Sequence, residues 1–395
     1  MSSSTARTWP AILAVAAGWL AIMPSSILTL ALRENEIDAP ASQYSLILTA
    51  GWATVIAGTF VFGRLSDNLH GRATSTRLIL IGCAAAIVLL NNALAETYSD
   101  KLLPVVWIAL QIPVAAVVAI AMKFSAAAQS GASLSRASGY VGAAPALTLI
   151  IGSSIVTAVG DVELGFRVPA LIAAAMLLPF LFSDLHLPAN EHPRAPRQSL
   201  ISDWKTPWGR FLFAEFLSSS TVCAVTSYLV PYASTVIGTS DANLTAKTAR
   251  ALLIASACSV LSSLLLGLRG RTASGNFRGY IAGTLLMSAG VATILVWRSI
   301  TALTVGGAVI GLGFGFLNAT ELSLTKQLNP DDGRIGERLG IMSSVTTAPY
   351  VVVPATSAVL LATGAQSGLI AIFTVAAVAS TAAMALMYSL HTRPA

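Results

Sequence analysis

Long apolar runs separated by short polar connections follow one another along the whole chain. We count twelve such runs, and each is long enough to cross a bilayer as a helix, which takes roughly 20 apolar residues rising about 1.5 Å each. Their approximate limits are 9–32, 44–63, 78–94, 103–128, 139–159, 168–185, 211–236, 249–268, 278–296, 301–328, 340–362 and 367–388. The pattern predicts an all-α integral membrane protein: a six-helix bundle at 1–185, a polar linker at 186–210 rich in Pro and Arg, and a second six-helix bundle at 211–395.

Composition supports this interpretation, since 55% of the residues are hydrophobic and only 10% are charged. A soluble domain has about 25% charged residues. The first run is too long for the core of a cleaved signal peptide, so we expect a retained span. The three cysteines lie inside apolar runs, where a thiol usually packs as a small hydrophobic group, so neither a disulfide framework nor a zinc site is indicated.

Most of the 23 lysines and arginines fall in loops that are cytoplasmic if the N-terminus is inside the cell. The positive-inside rule therefore predicts that both termini are cytoplasmic, in the inner (plasma) membrane of the cell. These residues are scattered over short loops and form no long basic run. The sequence pI of 9.4 is thus explained without nucleic-acid binding.

A polar insert at 63–67 (Gly-Arg-Leu-Ser-Asp), followed by Gly71 and Arg72, separates the second apolar run from the third. We expect a tight loop at the membrane surface. An aspartate at a helix end can accept N–H bonds from the start of another helix, and glycines let two helices approach closely. The alternative is an ordinary surface turn with positive-inside arginines. A weak echo of the Arg and Gly pattern, with Arg136 after the fourth run and Arg338 after the tenth, favours a duplicated architecture.

This insert resembles the signature loop between spans 2 and 3 of the major facilitator superfamily, although Asp67 and Gly71 stand one residue further apart than in the usual pattern. Span count, central linker and polarity extend the resemblance over the whole chain. The segment 330–342, with the later Pro349 and Pro354, is similar to bacterial members of the glycoside-cation and sucrose transporter branch, but the arginine run that follows the insert there is reduced to two residues here.

The resemblance implies a secondary transporter that moves a small organic solute by alternating access. It also implies that Asp67 holds the outward-facing state by contacting the start of span 11, near Gly340. We assign four basic residues near these segments to the same cytoplasmic gate: Arg64, Arg72, Arg136 and Arg338.

Three charged residues lie inside predicted spans: Lys123, Glu215 and Glu321. A charge costs roughly 2.5–3.5 kcal/mol at a helix centre, so such residues usually face a cavity or a partner. All three lie near the inner ends of spans 4, 7 and 10, which line the central cavity in the family. We hypothesise one cluster in which a glutamate binds a proton and Lys123 is released or recaptured. The alternatives are a salt-bridge network at the inner gate and, for Glu215, a side chain that extends to the interface beside Arg210.

Six polar or aromatic residues within the spans are candidate solute contacts: Trp19, Gln111, Ser219, Tyr228, Asn318 and Tyr350. Hydroxyls, amides and aromatic faces suit a neutral polyol or a mixed polar-aromatic solute. Asn318 precedes Glu321 by one helical turn on the same face. Each of the six could instead make a helix–helix hydrogen bond or lie at the membrane interface.

No catalytic or ATP-binding motif is present, so we predict neither an enzyme nor a cofactor, and transport energy would come from a gradient. The glycines of span 10 lack the lysine of a nucleotide loop and indicate close helix packing. The stretch 139–159 lacks the Gly-Pro-rich signature of the superfamily's drug-proton antiporters, which favours uptake by symport. We expect protons as the coupling ion and a monomeric protein. The alternatives are efflux of drugs or metabolites by proton antiport and a non-transporting membrane sensor.

Overall fold

In a computed structural model, all regular secondary structure within the described residues is helical. The described residues are 3–30, 33, 37, 41–69, 72–127, 131–159, 161–183, 206–238, 244–269, 272–329, 334–362 and 364–392. The helices are α1 Ser3–Pro24, α2 Ala41–Asn68, α3 Ala73–Glu96, α4 Leu102–Ala127, α5 Gly131–Val159, α6 Val162–Leu181, α7 Pro207–Thr235, α8 Leu244–Leu268, α9 Ala273–Trp297, α10 Ile300–Leu328, α11 Ile335–Thr347, α12 Pro349–Leu361 and α13 Ala365–His391. A π-helical turn, Ser25–Thr29, continues α1.

The helices follow the twelve predicted runs in order, with α11 and α12 together occupying the eleventh, and the all-α membrane fold is confirmed. Within the described residues, ten helical stretches are long and apolar enough to cross a membrane. The apolar part of α1, Trp9–Pro24, is shorter, and α5 is not among the ten.

The helix α2 extends further than the sequence indicated. It ends at Asn68, so residues 63–67 form its last turns, and the prediction of a loop beginning at residue 63 is wrong. The Ser66 hydroxyl donates to the Gly63 carbonyl at 2.6 Å, within the helix. Hydropathy indicates where the chain leaves the apolar region, whereas a helix ends where its backbone hydrogen bonds end. None of these polar residues is a proline, so nothing in the insert interrupts those bonds. The connection to α3 is therefore only a few residues long.

The eleventh predicted span is broken in the structure. Thr347 ends α11 and Pro349 begins α12, where the missing N–H of a proline costs least. The carbonyl of Ala348 accepts bonds from the amides of Val351 and Val352, both at 3.0 Å. The two halves of this span are therefore separate helices joined at Ala348.

The chain divides into two compact units. Unit 1 comprises Met1–Ala137, Ala144–Pro196 and Asn329–Ser344, and in it α1 packs against α4 and α6, while α2 packs against α4. Unit 2 comprises Ser138–Ala143, Arg197–Leu328 and Val345–Ala395. The division at 185 and 210 stays a prediction.

In unit 2, α10 packs against α8 and α9, and α13 packs against α7 and α9. The glycines of α10 lie in these contacts. A Cβ at Gly306 would lie 2.6 Å from the Gly290 carbonyl oxygen, and one at Gly313 would lie 2.8 Å from the Met287 side chain. Close helix packing, as the sequence indicated, is their role.

Candidate functional site

Asp67, in the last turn of α2, binds the first turn of α11 within unit 1. Its Oδ1 accepts the amide of Gly336 at 3.1 Å, and its Oδ2 accepts the amide of Glu337 at 2.8 Å. These amides have no partner inside their own helix, and the positive end of the helix dipole favours a carboxylate there. The Asp67 side chain is buried. The structure thus places Asp67 at the start of span 11, while its role as a latch stays a prediction.

Glycines let α2 and α11 touch backbone to backbone beside this contact. A Cβ at Gly63 would overlap the Gly336 carbonyl oxygen, and one at Gly340 would lie 2.5 Å from the Thr59 carbonyl oxygen. Further along the seam, the Ser344 hydroxyl donates to the Ile56 carbonyl at 2.9 Å. Any larger side chain at these glycines would push the two helices apart.

Lys123 of α4 is the cationic partner of Asp67. Its Nζ lies 3.1 Å from Asp67 Oδ1 and donates to the Ser66 carbonyl at 2.6 Å. Only 4% of the lysine side chain and 7% of the aspartate side chain are exposed, so the pair is buried. The sequence had suggested glutamates as partners of Lys123. A single cluster of Lys123 with Glu215 and Glu321 stays a prediction.

The predicted gate arginines have different environments. Arg64 Nε lies 3.4 Å from Glu337 Oε1, with its guanidinium over the Phe60 ring at 5.4 Å, and its side chain is 39% exposed. An ion pair that accessible contributes little. Arg72 is exposed just before α3, and Arg136 in α5 and Arg338 in α11 are half-buried. Gly71 lies outside the described residues.

Two carboxylates lie together in unit 2. Glu215 of α7 is 3% exposed, Glu321 of α10 is half-buried, and the two interact electrostatically. Within the described residues, Glu215 Oε1 has no hydrogen-bond partner and neither carboxylate has a salt bridge. A buried carboxylate without a cation is costly, so a proton or another cation is expected to neutralise this pair at some stage.

Tyr280 of α9 belongs to the same cluster, although sequence reasoning missed it. It is fully buried, its hydroxyl lies 3.1 Å from Ser218 Oγ, and it interacts electrostatically with both Glu215 and Glu321. A lone tyrosine in an apolar run is a weak signal, because only helix packing shows which side chains it faces. A buried pair of carboxyl groups of this kind can bind a proton.

The candidate solute contacts are divided between the units: Trp19 and Gln111 belong to unit 1, and Ser219, Tyr228, Asn318 and Tyr350 belong to unit 2. The amide of Gln111 is buried and donates to a carbonyl of its own helix, that of Trp107, at 3.2 Å. The Nδ2 of Asn318 is buried and has no hydrogen-bond partner among the described residues. Ligand binding by Asn318, and the assembly of the six into one site, stay predictions.

The described residues contain no group of three His, Cys, Asp or Glu side chains that could hold a metal ion.

Comparisons with known proteins agree with this architecture. A family model described as Major Facilitator Superfamily matches residues 9–274. The crystal structure of the human organic anion transporter MFSD10 (TETRAN) is similar with a TM-score of 0.73 at 14% identity, over 97% of this chain and 100% of that one. A bacterial homologue of the iron transporter ferroportin, in an outward-facing state, is similar with a TM-score of 0.68 at 14% identity, over 99% of this chain and 100% of that one.

A search of curated proteins gave no significant match. At 14% identity the structural likenesses show the fold alone, and none of these comparisons supports the glycoside-cation and sucrose branch.

Proposed function

The chain belongs to the Major Facilitator Superfamily and is a multi-pass membrane transporter of a small solute, and on that premise we propose that it couples solute uptake to the inward flow of protons. The observation that carries this proposal is the buried Glu215 carboxylate beside Glu321, with one oxygen that has no hydrogen bond among the described residues.

A proton suits this pair for an electrostatic reason. Two neighbouring carboxylates in a buried site repel each other, so ionising both is costly, and a single proton removes one charge. When water reaches the site, solvation lowers the cost of the charge and the proton can leave. The Tyr280 hydroxyl, 3.1 Å from Ser218 Oγ, interacts electrostatically with both carboxylates and so belongs to their surroundings. Glu215 and Glu321 thus act as the proton site, with proton release tied to opening of the site.

The contact between Asp67 and α11 supplies the gate in this proposal. Docking of α11 on α2 through two amides, Gly336 and Glu337, holds the outward-facing state, and its release permits the inward-facing state. Arg64, Arg72, Arg136 and Arg338 belong to the cytoplasmic side of the protein, which functions as a monomer with both termini inside the cell.

The solute we propose is a neutral polyol or a mixed polar-aromatic molecule. Asn318 offers an amide donor one turn from Glu321, and Tyr350 lies at the start of the second half of the broken span. An organic anion, the solute named for one structural relative, fits this part of unit 2 poorly, because two carboxylates without a salt bridge among the described residues would repel it.

A thermal-shift screen of the purified chain against sugars, amino acids, carboxylates and drugs, at an acidic and an alkaline pH, tests this function. In symport the proton and the solute strengthen each other's binding, so we expect the solute to raise Tm more at the acidic pH. In proton antiport the proton and the solute compete, so the solute should raise Tm more at the alkaline pH. Glu215→Gln should remove the pH dependence of the shift, whereas Glu96→Gln, at an exposed carboxylate of α3, should retain it. A solute that raises Tm equally at both pH values would contradict proton coupling.

A further inference from the structure

One carboxylate oxygen of Asp67 contacts both Lys123 and the N-terminus of α11. Oδ1 lies 3.1 Å from Lys123 Nζ and also 3.1 Å from the amide nitrogen of Gly336. The lysine comes from α4, which packs against α2, and a second bond to the Ser66 carbonyl holds its ammonium in place. Lys123 is therefore held next to Asp67 by contacts that do not involve α11.

We propose that Lys123 is a positioning residue that makes the docking of α11 on Asp67 reversible. It keeps the carboxylate neutralised whether α11 is docked or released. This inference rests on the proposed latch, to which it adds the group that allows the latch to open.

The argument depends on the cost of leaving a buried charge without a partner. Removing one member of a buried ion pair is strongly destabilising, because the other member remains as an uncompensated charge. If α11 supplied all the partners of Asp67, its departure would leave the carboxylate in that situation, and α11 would stay docked. With Lys123 in place, departure of α11 breaks the two backbone N–H bonds to Asp67 and the contact with the helix dipole, which are individually modest, while the carboxylate keeps its ammonium partner.

Arg64 cannot replace Lys123 in this role. Its side chain is 39% exposed and its ion-pair partner is Glu337, which belongs to α11 itself. When α11 leaves, that pair is separated and both groups are solvated. Lys123, in contrast, remains with Asp67 on the α2 and α4 side of the contact.

Hydrogen exchange of the full-length protein in nanodiscs tests this proposal, read by mass spectrometry on peptides covering 335–344. Lys123→Met should slow exchange of the first α11 amides by about tenfold or more, because release would then leave the buried Asp67 carboxylate without its Lys123 ion pair. Lys123→Arg, which keeps the charge, should restore wild-type exchange. Lys326→Met provides a matched control, since this lysine lies in the last turn of α10. Peptides covering α13 report whether the fold is intact.

A double variant distinguishes positioning from a purely structural salt bridge. Asp67→Asn should speed exchange at 335–344, and adding Lys123→Met to it should change nothing further, because no carboxylate remains to be neutralised. If Lys123→Met instead speeds exchange, the lysine merely supports docking and the inference is wrong. If Lys123→Met has no effect while Asp67→Asn does, the latch stands without Lys123. If Asp67→Asn leaves exchange unchanged, the latch itself is wrong.

Discussion

Glu215→Gln is expected to abolish accumulation of the solute driven by a pH gradient. Glutamine keeps the shape of the side chain and cannot bind a proton. If one proton moves with each solute, a gradient of about one pH unit can support about tenfold accumulation, since each pH unit corresponds to about 1.4 kcal/mol. The variant should only equalise the solute across the membrane. The measurement is uptake into proteoliposomes of the solute found by the thermal-shift screen.

Counterflow and a surface control make this experiment specific. Exchange of labelled for unlabelled solute needs no net proton movement, so Glu215→Gln should retain it if the site is otherwise intact. Glu96→Gln should accumulate solute like the wild type, because that side chain is 72% exposed. Glu321→Gln is tested in parallel, since the two carboxylates interact. If both glutamine variants at 215 and 321 accumulate solute against the gradient as the wild type does, this pair is not the proton site.

Gly63→Val is expected to displace α11 from α2 and to stop transport. A Cβ at this position would overlap the Gly336 carbonyl oxygen and lie 3.2 Å from the Gly340 Cα. Both neighbours are backbone atoms of α11, so no side-chain rotation relieves the overlap, and overpacking of this kind costs about 1–3 kcal/mol. Displacement breaks the bonds from Asp67 to the Gly336 and Glu337 amides. Hydrogen exchange at 335–344 should therefore rise.

The matched control is Gly82→Val in α3, because nothing lies within 4 Å of a Cβ built there. It makes the same change in helix propensity without a clash, so exchange at 335–344 and transport should remain at wild-type levels. Undisturbed exchange at 335–344 in Gly63→Val would mean that the two backbones are not in contact in the membrane. That result would remove the physical basis of the gate.

The insert at 63–67 illustrates what a local sequence pattern predicts correctly and what it does not. Its glycine and aspartate predicted a close helix contact, and the structure places Asp67 against the start of α11. The same polar residues also predicted a loop, yet they are helical to Asn68. Polarity indicates proximity to the membrane surface, whereas the end of a helix depends on backbone bonding that polarity does not report.

The charged residues within the spans were identified from the sequence, but their partners were not. The cost of burying a charge identified Lys123, Glu215 and Glu321 as unusual from the sequence alone. It did not identify Asp67 as the partner of Lys123, because that pairing depends on the packing of α2 against α4. Nor did it identify Tyr280, whose electrostatic interaction with both glutamates depends on the rotation of α9.

The sequence by itself determined that the chain is helical, crosses a membrane many times and needs a partner for each charge within its spans. These properties follow from the free energy of transferring side chains and backbone from water to lipid. That free energy depends on the composition of each segment and on the spacing of its apolar residues. Only the tertiary structure decided that Lys123 pairs with Asp67, that the eleventh span breaks at Ala348, and that residues 329–344 belong to unit 1. Those features depend on side-chain volume and helix rotation at contacts between residues far apart in the chain, where a glycine at position 63 meets a carbonyl at position 336.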